Sequence, residues 1–558
     1  MQLFPQPRSL TLRTGSAPAS TPTAVSKSHD KLPPEHYTLT IKPGSVEVCA
    51  QDEAGLAYGL DTLAQIRTQS GETLPCLEIA DGPAFRERGY MLDISRCKVP
   101  TMDELMRLVD RLAALRYNQL QLYTEHTFAY AGHEAVWRES SPMTGEEIER
   151  LDAACAARHI ELVPNQNSFG HLERWLRHPE YRHLAECPDG FTSPFGDFRK
   201  YGATLKPDAA SLALLDDLYT QLLPHFRSRK FNVGCDETFD LGLGHSRARA
   251  EAVGIEEVYL EFLEQVGKLV AEHGRQMHFW ADIVLKRPEF IRRLPAGAVP
   301  VIWGYEREHP FAEQCKQVAD AGFRFLVAPG DSTWLSTHGR LETARANIAS
   351  ATREGLRHGA HGLLLTHWGD QGHIQPLPLT LPALVLTAQH AWEGEQTDPD
   401  RWTLTLSRRL LDDATGGFAD ALAALGEIES CTALRQHNRS VLFRALFGET
   451  DEVRTLAQQI SPAETAQIAE KLTQAETHLG RAAPRCGDAR WLMDEARQAV
   501  RLTRLSLERL TCARENRVGG DALRAGVQEA LAAHERQWLR RNRPGGLAES
   551  KGYFSRVS

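Results

Sequence analysis

Between residues 88 and 393 the chain alternates short continuous apolar runs with longer segments of helical apolar spacing. A short apolar run between turn signals is typical of a buried strand, and apolar residues at i, i+3, i+4 and i+7 are typical of a helix. The runs predict eight strands, at 89–94, 118–123, 160–164, 231–234, 277–280, 299–303, 323–327 and 362–366. The segments after them predict helices at 101–115, 144–157, 209–226, 255–273, 289–293, 311–321, 341–356 and 381–392. Eight strand–helix units predict a (β/α)8 TIM barrel.

The segments on either side of this region have different patterns. Strands are predicted at 37–41, 46–49 and 74–79 and a helix at 55–68, which together make a small α/β domain. Residues 1–33 are rich in Ser, Thr and Pro and predict an irregular entry. Beyond residue 400 no strand is predicted, and 489–511 and 521–541 are strongly helical. We therefore expect an α/β protein with a small α/β domain at 1–84, the barrel at 85–398 and an all-α region at 399–558, the last packing on the barrel or forming a homodimer surface.

Composition and charge narrow the classes of function. The 558 residues are 42% hydrophobic and carry a net charge of −9, which argues against nucleic acid or an anionic membrane as partner. The sequence has no apolar run long enough for a transmembrane helix and no visible secretory signal. Ten scattered cysteines form no Cys-x-x-Cys pair, so we expect reduced thiols in a cytoplasmic protein.

Polar and aromatic residues cluster at the predicted strand ends, where barrel enzymes keep their active sites. Tryptophan recurs at the ends of the fifth to eighth strands, and aromatic walls beside carboxylates and an arginine suit a sugar ring. The strand-end residues, in chain order, are Asp93, Arg96, Tyr123, Glu125, His126, Asn165, Gln166, Asn167, His171, Asp236, Glu237, Trp280, Asp282, Trp303, Tyr305, Glu306, Asp331, Trp334, His367, Trp368 and Asp370.

The fourth predicted strand ends on two adjacent carboxylates, Asp236 and Glu237. Glycosidic cleavage needs a general acid and a group that stabilises the oxocarbenium-like centre. Successive side chains of a strand point to opposite faces, so adjacent acids are poorly suited to flank one bond. They suit a division of labour in which one acts as acid and the other orients a nucleophile carried by the substrate.

Several motifs resemble those of the family 20 glycoside hydrolases, the exo-β-N-acetylhexosaminidases. Residues 231–237, Phe-Asn-Val-Gly-Cys-Asp-Glu, resemble the family's His-x-Gly-Gly-Asp-Glu signature, and residues 88–96, 165–171 and 368–370 also resemble family segments. The resemblance covers roughly residues 35–395. Residues 303–306 and 329–334 are more similar to the divergent cytoplasmic branch of the family than to the lysosomal one.

The resemblance implies a role for each matching residue. Glu237 would be the general acid/base, and Asp236 would hold the nitrogen of the 2-acetamido group, whose oxygen attacks C1 to give an oxazolinium intermediate. The implied substrate-binding residues are Arg96, His171, Trp280, Trp303, Trp334, Trp368 and Asp370. Trp280, Trp303 and Trp368 would wall the sugar, Arg96 and Asp370 would bind its hydroxyls, and His171 would lie behind the acids. No cofactor or metal is implied.

Two positions depart from the family pattern. Asn232 stands where the signature has histidine, which weakens any proton relay through that position. The segment after the seventh strand carries Trp334 but lacks the family's tyrosine for the acetamido oxygen, so Tyr305 is the expected substitute.

Two other functions stay open at this point. A metal-dependent barrel hydrolase would draw on His126, His171, Asp282 and His367, although no His-x-His or carboxylate cluster sits on one strand. A carbohydrate-binding barrel without catalysis is the second. The sequence leaves the choice between terminal GlcNAc and GalNAc open.

Overall fold

The computed structural model describes residues 1–27, 32–517 and 520–557. Its N-terminal part is a five-stranded sheet in the order β1-β5-β3-β4-β2, with helix α1 (Glu53–Ser70) packed on it. The strands are β1 Ser9–Pro18, β2 Thr23–Lys27, β3 Tyr37–Lys42, β4 Ser45–Ala50 and β5 Thr73–Asp81.

The prediction of an irregular entry before residue 33 is wrong. Strand β1 pairs antiparallel with β5, and β2 pairs parallel with β4, so both form edges of the sheet. Most of their side chains are exposed, so they lack the apolar alternation of a half-buried strand. Their conformation depends on backbone pairing with strands far along the chain, which a local pattern does not reveal.

Ten further strands follow in the described part of the chain. They are β6 Glu87–Asp93, β7 Gln119–Tyr123, β8 Glu161–Val163, β9 Phe191–Thr192, β10 Phe198–Arg199, β11 Lys230–Asn232, β12 Gln276–Trp280, β13 Val299–Trp303, β14 Leu326–Ala328 and β15 Gly362–His367. Strands β9 and β10 form a small antiparallel hairpin. The other eight form one parallel sheet in the order β11-β12-β13-β14-β15-β6-β7-β8.

This sheet closes on itself between β8 and β11. The Asn232 amide donates to the Pro164 carbonyl at 2.9 Å, and the Gln166 amide donates to the Asn232 carbonyl at 2.9 Å. The predicted (β/α)8 barrel is therefore confirmed. All eight predicted strands have a counterpart, although β14 begins three residues later than predicted.

Helices cover the outside of the barrel. In chain order α2–α12 are Met102–Ala114, Glu134–Trp137, Gly145–Ala156, Glu173–Leu176, Ala209–Leu222, Arg247–Val253, Ile255–Glu272, Pro288–Ile291, Phe311–Asp320, Leu341–Arg357 and Leu381–Glu393. The predicted helical region follows with α13–α20, which are Trp402–Thr405, Gly417–Glu427, Val441–Phe447, Thr450–Gln459, Pro462–Arg481, Ala489–Arg514, Asp521–Arg541 and Leu547–Gly552. In the ranges described, no helix is both long and apolar enough to cross a bilayer.

Barrel helices α2 and α4 both begin with a capping residue, and at the start of α2 the C-terminal region also binds the barrel. Thr144 and Glu147 form a complete capping box at the start of α4. Thr101 caps α2, but Glu104 does not return a bond to it. Instead both Glu104 oxygens accept from Arg541 of α19, at 2.9 and 2.8 Å.

Arg541 is the buried hub of this interface. Its guanidinium also bonds Glu495 at 2.6 Å and lies 2.8 Å from Asp488. The adjoining backbone is tied as well, since the Thr101 amide donates to the Arg541 carbonyl at 2.9 Å. The C-terminal helices therefore hold the segment that follows the first barrel strand, just beyond Arg96.

We predict that Arg541→Ala destabilises the protein by about 3 kcal/mol or more, because Glu495 stays buried without its ion-pair partner and Glu104 keeps only Arg107 and Arg111, at 3.3 and 3.5 Å. Urea unfolding followed by tryptophan fluorescence measures the loss. As a control, Arg247→Ala removes one partner of an exposed i,i+4 pair and should cost less than about 1 kcal/mol. Equal losses in the free energy of unfolding for the two variants would contradict the central role of Arg541 in this interface.

Candidate active site

A tight turn follows β11 and carries the two adjacent acids. Gly234, Cys235 and Glu237 have φ values of 68°, 67° and 48°, all in the left-handed region. That region disfavours residues with a Cβ, so the turn is strained at Cys235 and Glu237. At Gly234 a Cβ would lie 1.7 Å from Oδ1 of Asn167, which leaves room for glycine only.

The turn brings both acids to one imidazole. His171 Nε2 lies 3.3 Å from Asp236 Oδ2 and 3.4 Å from Glu237 Oε2. The expectation that the two side chains point to opposite faces is wrong, because β11 ends at Asn232 and the alternation of a strand no longer applies. The two carboxylates therefore share one side of the same histidine.

The neighbouring carboxylates favour the protonated form of His171. Burial lowers the pKa of His171, but the Asp236 carboxylate outweighs it by charge and hydrogen bonding, and Glu237 adds to that attraction. The Arg96 guanidinium, 3.5 Å from Nδ1, opposes the imidazolium charge. The net result raises the pKa of His171 to about 9.

The two acids differ in exposure and in bonding. The Asp236 side chain is 8% exposed and that of Glu237 is 34% exposed. Burial raises the pKa of Glu237, and the His171 cation opposes that rise. Among the described residues, Asp236 Oδ1 is buried without a hydrogen-bond partner. Glu237 can therefore exchange a proton at the mouth of the site, while Asp236 has an acceptor free for a buried donor.

A third carboxylate, Asp282, lies beneath the pair at the end of β12. Its oxygens accept from the Glu237 amide at 3.3 Å and from the Trp303 indole N–H at 3.4 Å. Burial raises the pKa of Asp282 to about 7, and the charges of Asp236 and Glu237 contribute. Asp282 thus fixes the backbone of one acid and the ring of one aromatic wall.

Aromatic rings form a packed cluster near the acids. Tyr305 stacks on Trp303 with ring centroids 5.2 Å apart, and its hydroxyl accepts from the Trp368 indole N–H at 2.9 Å. Trp368 also contacts Trp280 and Tyr123, at 6.1 and 4.8 Å. The Thr366 side chain is a second hydrogen-bond partner of the Tyr305 hydroxyl, so this hydroxyl is held in place from two sides.

Trp334 lies behind these rings. It is fully buried, contacts Tyr305 edge-on with centroids 5.1 Å apart, and donates its indole N–H to Asn438 at 3.2 Å. Asn438 belongs to the segment between α14 and α15. The C-terminal region therefore braces the aromatic wall through Trp334, whose predicted part in substrate binding stays a prediction.

Arg96 lies beside His171 and among three acidic side chains. It is 3.3 Å from Asp93, 3.3 Å from Glu125 and 3.8 Å from Asp370, and its guanidinium lies over the Trp368 ring at 4.8 Å. Burial raises the pKa of Asp370, and Arg96 opposes that rise. Arg96 therefore forms a structural ion pair with Asp93. It also lies close to Asp370, the carboxylate predicted to bind sugar hydroxyls.

Asn232, which replaces the expected histidine, braces the acid turn. Its Oδ1 accepts from the Gly234 amide at 3.0 Å, and its Nδ2 donates to Gln121 at 3.1 Å. An amide at this position carries no titratable proton, so Asn232 orients the turn and relays nothing.

The histidines of the metal hypothesis do not converge. His367 contacts Asp331 at 2.6 Å and His373 at 3.0 Å, whereas His171 lies between the acids. His126 is buried, and burial lowers its pKa to about 3. Within the described ranges no group of three His, Cys, Asp or Glu side chains is arranged to hold a metal ion.

Four residues of the site were not among the predicted catalytic and substrate-binding residues, namely Asp282, Tyr123, Glu125 and Asn167. Tyr123 donates to Glu125 at 2.9 Å and accepts from Asn167, so these three form one network beside Arg96. All four stand at predicted strand ends, and that position was the available signal. Their residue types alone did not distinguish these four side chains from strand-end residues that have only a structural role.

Two models of one family match consecutive parts of the chain. Residues 85–362 match the family model described as glycosyl hydrolase family 20, catalytic domain, and residues 2–82 match glycosyl hydrolase family 20, domain 2. A beta-hexosaminidase of Akkermansia muciniphila is 25% identical over 278 residues, which cover 45% of this chain and 56% of that protein. Hexosaminidase D of Bos taurus is 26% identical over 328 residues, covering 53% and 89% respectively.

Solved structures extend the likeness of the fold to the C-terminal helices. The chitobiase of Flavobacterium johnsoniae superposes with a TM-score of 0.59 at 16% identity, covering 96% of this chain and 98% of that one. At this identity the likeness concerns the fold, including the arrangement of the helical region on the barrel.

We predict that the His171 imidazole titrates near pH 9 and that Asp236→Asn moves its midpoint to lower pH, because the largest attraction for the proton is gone. NMR of histidine Cε1–H signals, assigned with His171→Asn, measures the midpoint. Asp189→Asn, at a 98% exposed carboxylate, is the control and should leave it unchanged. A neutral imidazole at pH 7, or a midpoint indifferent to Asp236, would contradict the assignment.

Proposed function

Because the chain belongs to glycoside hydrolase family 20, we propose that it is a retaining exo-β-N-acetylhexosaminidase that releases terminal β-linked GlcNAc or GalNAc. The observation that carries the proposal is the acid turn, with an unpartnered buried oxygen on Asp236 beside a protonatable Glu237. Relatives named beta-hexosaminidase and Hexosaminidase D support this substrate class.

The first step breaks the glycosidic bond with the substrate's own nucleophile. Glu237 gives its proton to the glycosidic oxygen, and the C1–O bond electrons leave with the departing alcohol. The 2-acetamido oxygen forms a bond to C1, which yields an oxazolinium ion. Asp236 accepts the acetamido N–H through Oδ1 and stabilises the positive charge that develops on the amide.

The second step returns the enzyme to its starting state. The Glu237 carboxylate takes a proton from water, the resulting hydroxide equivalent attacks C1, and the C1–O bond of the oxazolinium ring breaks. Two displacements at C1 restore the β configuration. The His171 charge lies within 3.4 Å of each carboxylate, so it favours ionised Asp236 in both steps and ionised Glu237 once that residue has given up its proton.

The remaining residues hold the sugar. Tyr305 donates its hydroxyl proton to the acetamido oxygen, and Trp280, Trp303 and Trp368 enclose the acetamido group and ring. Arg96 and Asp370 bind ring hydroxyls at the far side of the cavity. Arg96 serves this purpose only in part, because Asp93 and Glu125 already occupy some of its donors.

We also propose a cytoplasmic location. The support is the chemistry of the cysteines, all ten of which are free thiols in the described part of the chain. Cys235, next to Asp236, is fully buried, and burial raises the pKa of its thiol, which disfavours a role as nucleophile.

The test compares Glu237→Gln with Asp236→Asn on aryl β-N-acetylglucosaminides. Glu237→Gln should lower kcat/KM, which reports the first step, roughly a hundred- to ten-thousandfold for a poor leaving group and far less for a dinitrophenyl group that leaves without a proton. Asp236→Asn should lower kcat/KM for both, because it impairs attack by the acetamido oxygen.

Glu251→Gln, at an exposed carboxylate remote from the turn, serves as the control and should retain activity. Normal turnover by Glu237→Gln would overturn the proposal. Binding of N-acetylglucosamine by the unaltered protein without any hydrolysis would point instead to a carbohydrate-binding barrel.

A further inference from the structure

A cavity of about 210 Å³ lies between the barrel and the C-terminal region, away from the acid turn. The barrel contributes the loop after β13 and the residues around the start of α11, and the C-terminal region contributes residues 428–442. Residues 234–237 of the acid turn are not part of its lining. Pockets that hold drug-sized ligands measure roughly 300–1,000 Å³, so this cavity suits a smaller molecule or an ion.

The lining of this cavity is rich in arginine. Four arginines contribute to it, namely Arg307, Arg340, Arg435 and Arg439, against three glutamates. His338 is also in the lining and is neutral, because burial lowers its pKa to about 4. The lining therefore carries one net positive charge, although the whole chain has a net charge of −9.

Arg340 is buried with only part of its guanidinium paired. Its side chain is 3% exposed, and its Nη1 donates to the two Glu306 oxygens at 3.0 and 3.3 Å. In the ranges that the structure describes, its Nε and Nη2 have no hydrogen-bond partner. Burying a charged donor without an acceptor is costly. Arg340 thus has two nitrogens for which the described chain supplies no acceptor.

Two further arginines of the lining are incompletely paired. Arg307 Nη2 is buried without a hydrogen bond to any described residue, although Glu429 Oε2 lies 3.4 Å away. Arg439 is half-buried and makes no ion pair with the described part of the chain. Burial lowers the pKa of Arg439, and the charge of Arg444 adds to that effect. The cavity therefore places three guanidinium groups around a space with too few acceptors.

The glutamates of the lining do not supply the missing acceptors, because other groups already bind them. Besides its bonds from Arg340, Glu306 accepts from a backbone amide of the C-terminal segment at 2.6 Å. Glu429 accepts from the Thr343 amide at 3.0 Å. Glu308 is exposed, so water solvates its charge. An added anion is the simplest source of acceptors for the unpaired guanidinium nitrogens.

We propose that this cavity binds a small oxyanion of the phosphate or sulfate class through Arg307, Arg340 and Arg439. A guanidinium group presents its donors in a fixed fork, which matches the spacing of two oxygens of such an anion. The bound anion joins the barrel loop after β13 to the segment that carries Asn438, the partner of Trp334. The site does not depend on the proposed hydrolytic function.

Isothermal titration calorimetry of the full chain with sodium phosphate, at constant ionic strength in chloride, measures the affinity. The unaltered protein should bind phosphate at one saturable site. Arg439→Gln should weaken the affinity roughly tenfold or more, because it removes a charged donor to the anion. This variant should fold normally, since Arg439 has no carboxylate partner to leave unpaired. The matched control is Arg454→Gln, at a 56% exposed arginine of α16, which should bind like the unaltered protein.

The site would be overturned by the absence of saturable binding to the unaltered protein, by an unchanged affinity in Arg439→Gln, or by an equal loss in Arg454→Gln. Phosphate bound at the acid turn instead would give the second of these results. Titration with glucose 6-phosphate distinguishes the source of the anion. Tighter binding than inorganic phosphate assigns the cavity to a phosphate ester, weaker binding assigns it to the free ion, and either result supports the oxyanion site.

Discussion

The left-handed turn after β11 is the constraint on which the site depends. A regular strand would separate Asp236 and Glu237 to opposite faces, and the positive φ values at Gly234, Cys235 and Glu237 bring both to His171. The surrounding structure holds this strained backbone in place. Asp282 bonds the Glu237 amide from below, and Tyr259 donates to the Cys235 carbonyl at 2.8 Å.

Electrostatic balance follows from the same geometry. Buried carboxylates would repel one another and take up protons without a nearby cation. The His171 imidazolium supplies that charge beside the acids, and Arg96 supplies it beside Asp93, Glu125 and Asp370. The C-terminal helices support the barrel mouth through Arg541 and Asn438, so this region contributes to the geometry of the site without contacting the acids.

The sequence predicted the parts of the structure that depend on local pattern. Apolar runs revealed the eight barrel strands, and the recurrence of tryptophan at strand ends drew attention to Trp280, Trp303 and Trp368, which lie in one aromatic cluster with Tyr305. Features that depend on partners distant in the sequence could not be predicted from local pattern. The polar edge strands at Ser9–Pro18 and Thr23–Lys27 depend on pairing with β5 and β4, and the contact of both acids with one imidazole depends on a turn. The sequence placed Asp282 at a strand end but did not predict its bonds to Glu237 and Trp303, because those bonds depend on the fold.

The most direct test of the account is the dependence of hydrolysis on the nucleophilicity of the substrate's acetamido oxygen. Aryl β-glucosaminides with acetyl, fluoroacetyl, difluoroacetyl and trifluoroacetyl groups on the 2-amino nitrogen form a graded series, since each fluorine withdraws electron density from the amide oxygen. If that oxygen attacks C1, kcat/KM should fall steeply with each added fluorine. A rate constant independent of fluorination would show that another nucleophile attacks C1 and would contradict the account.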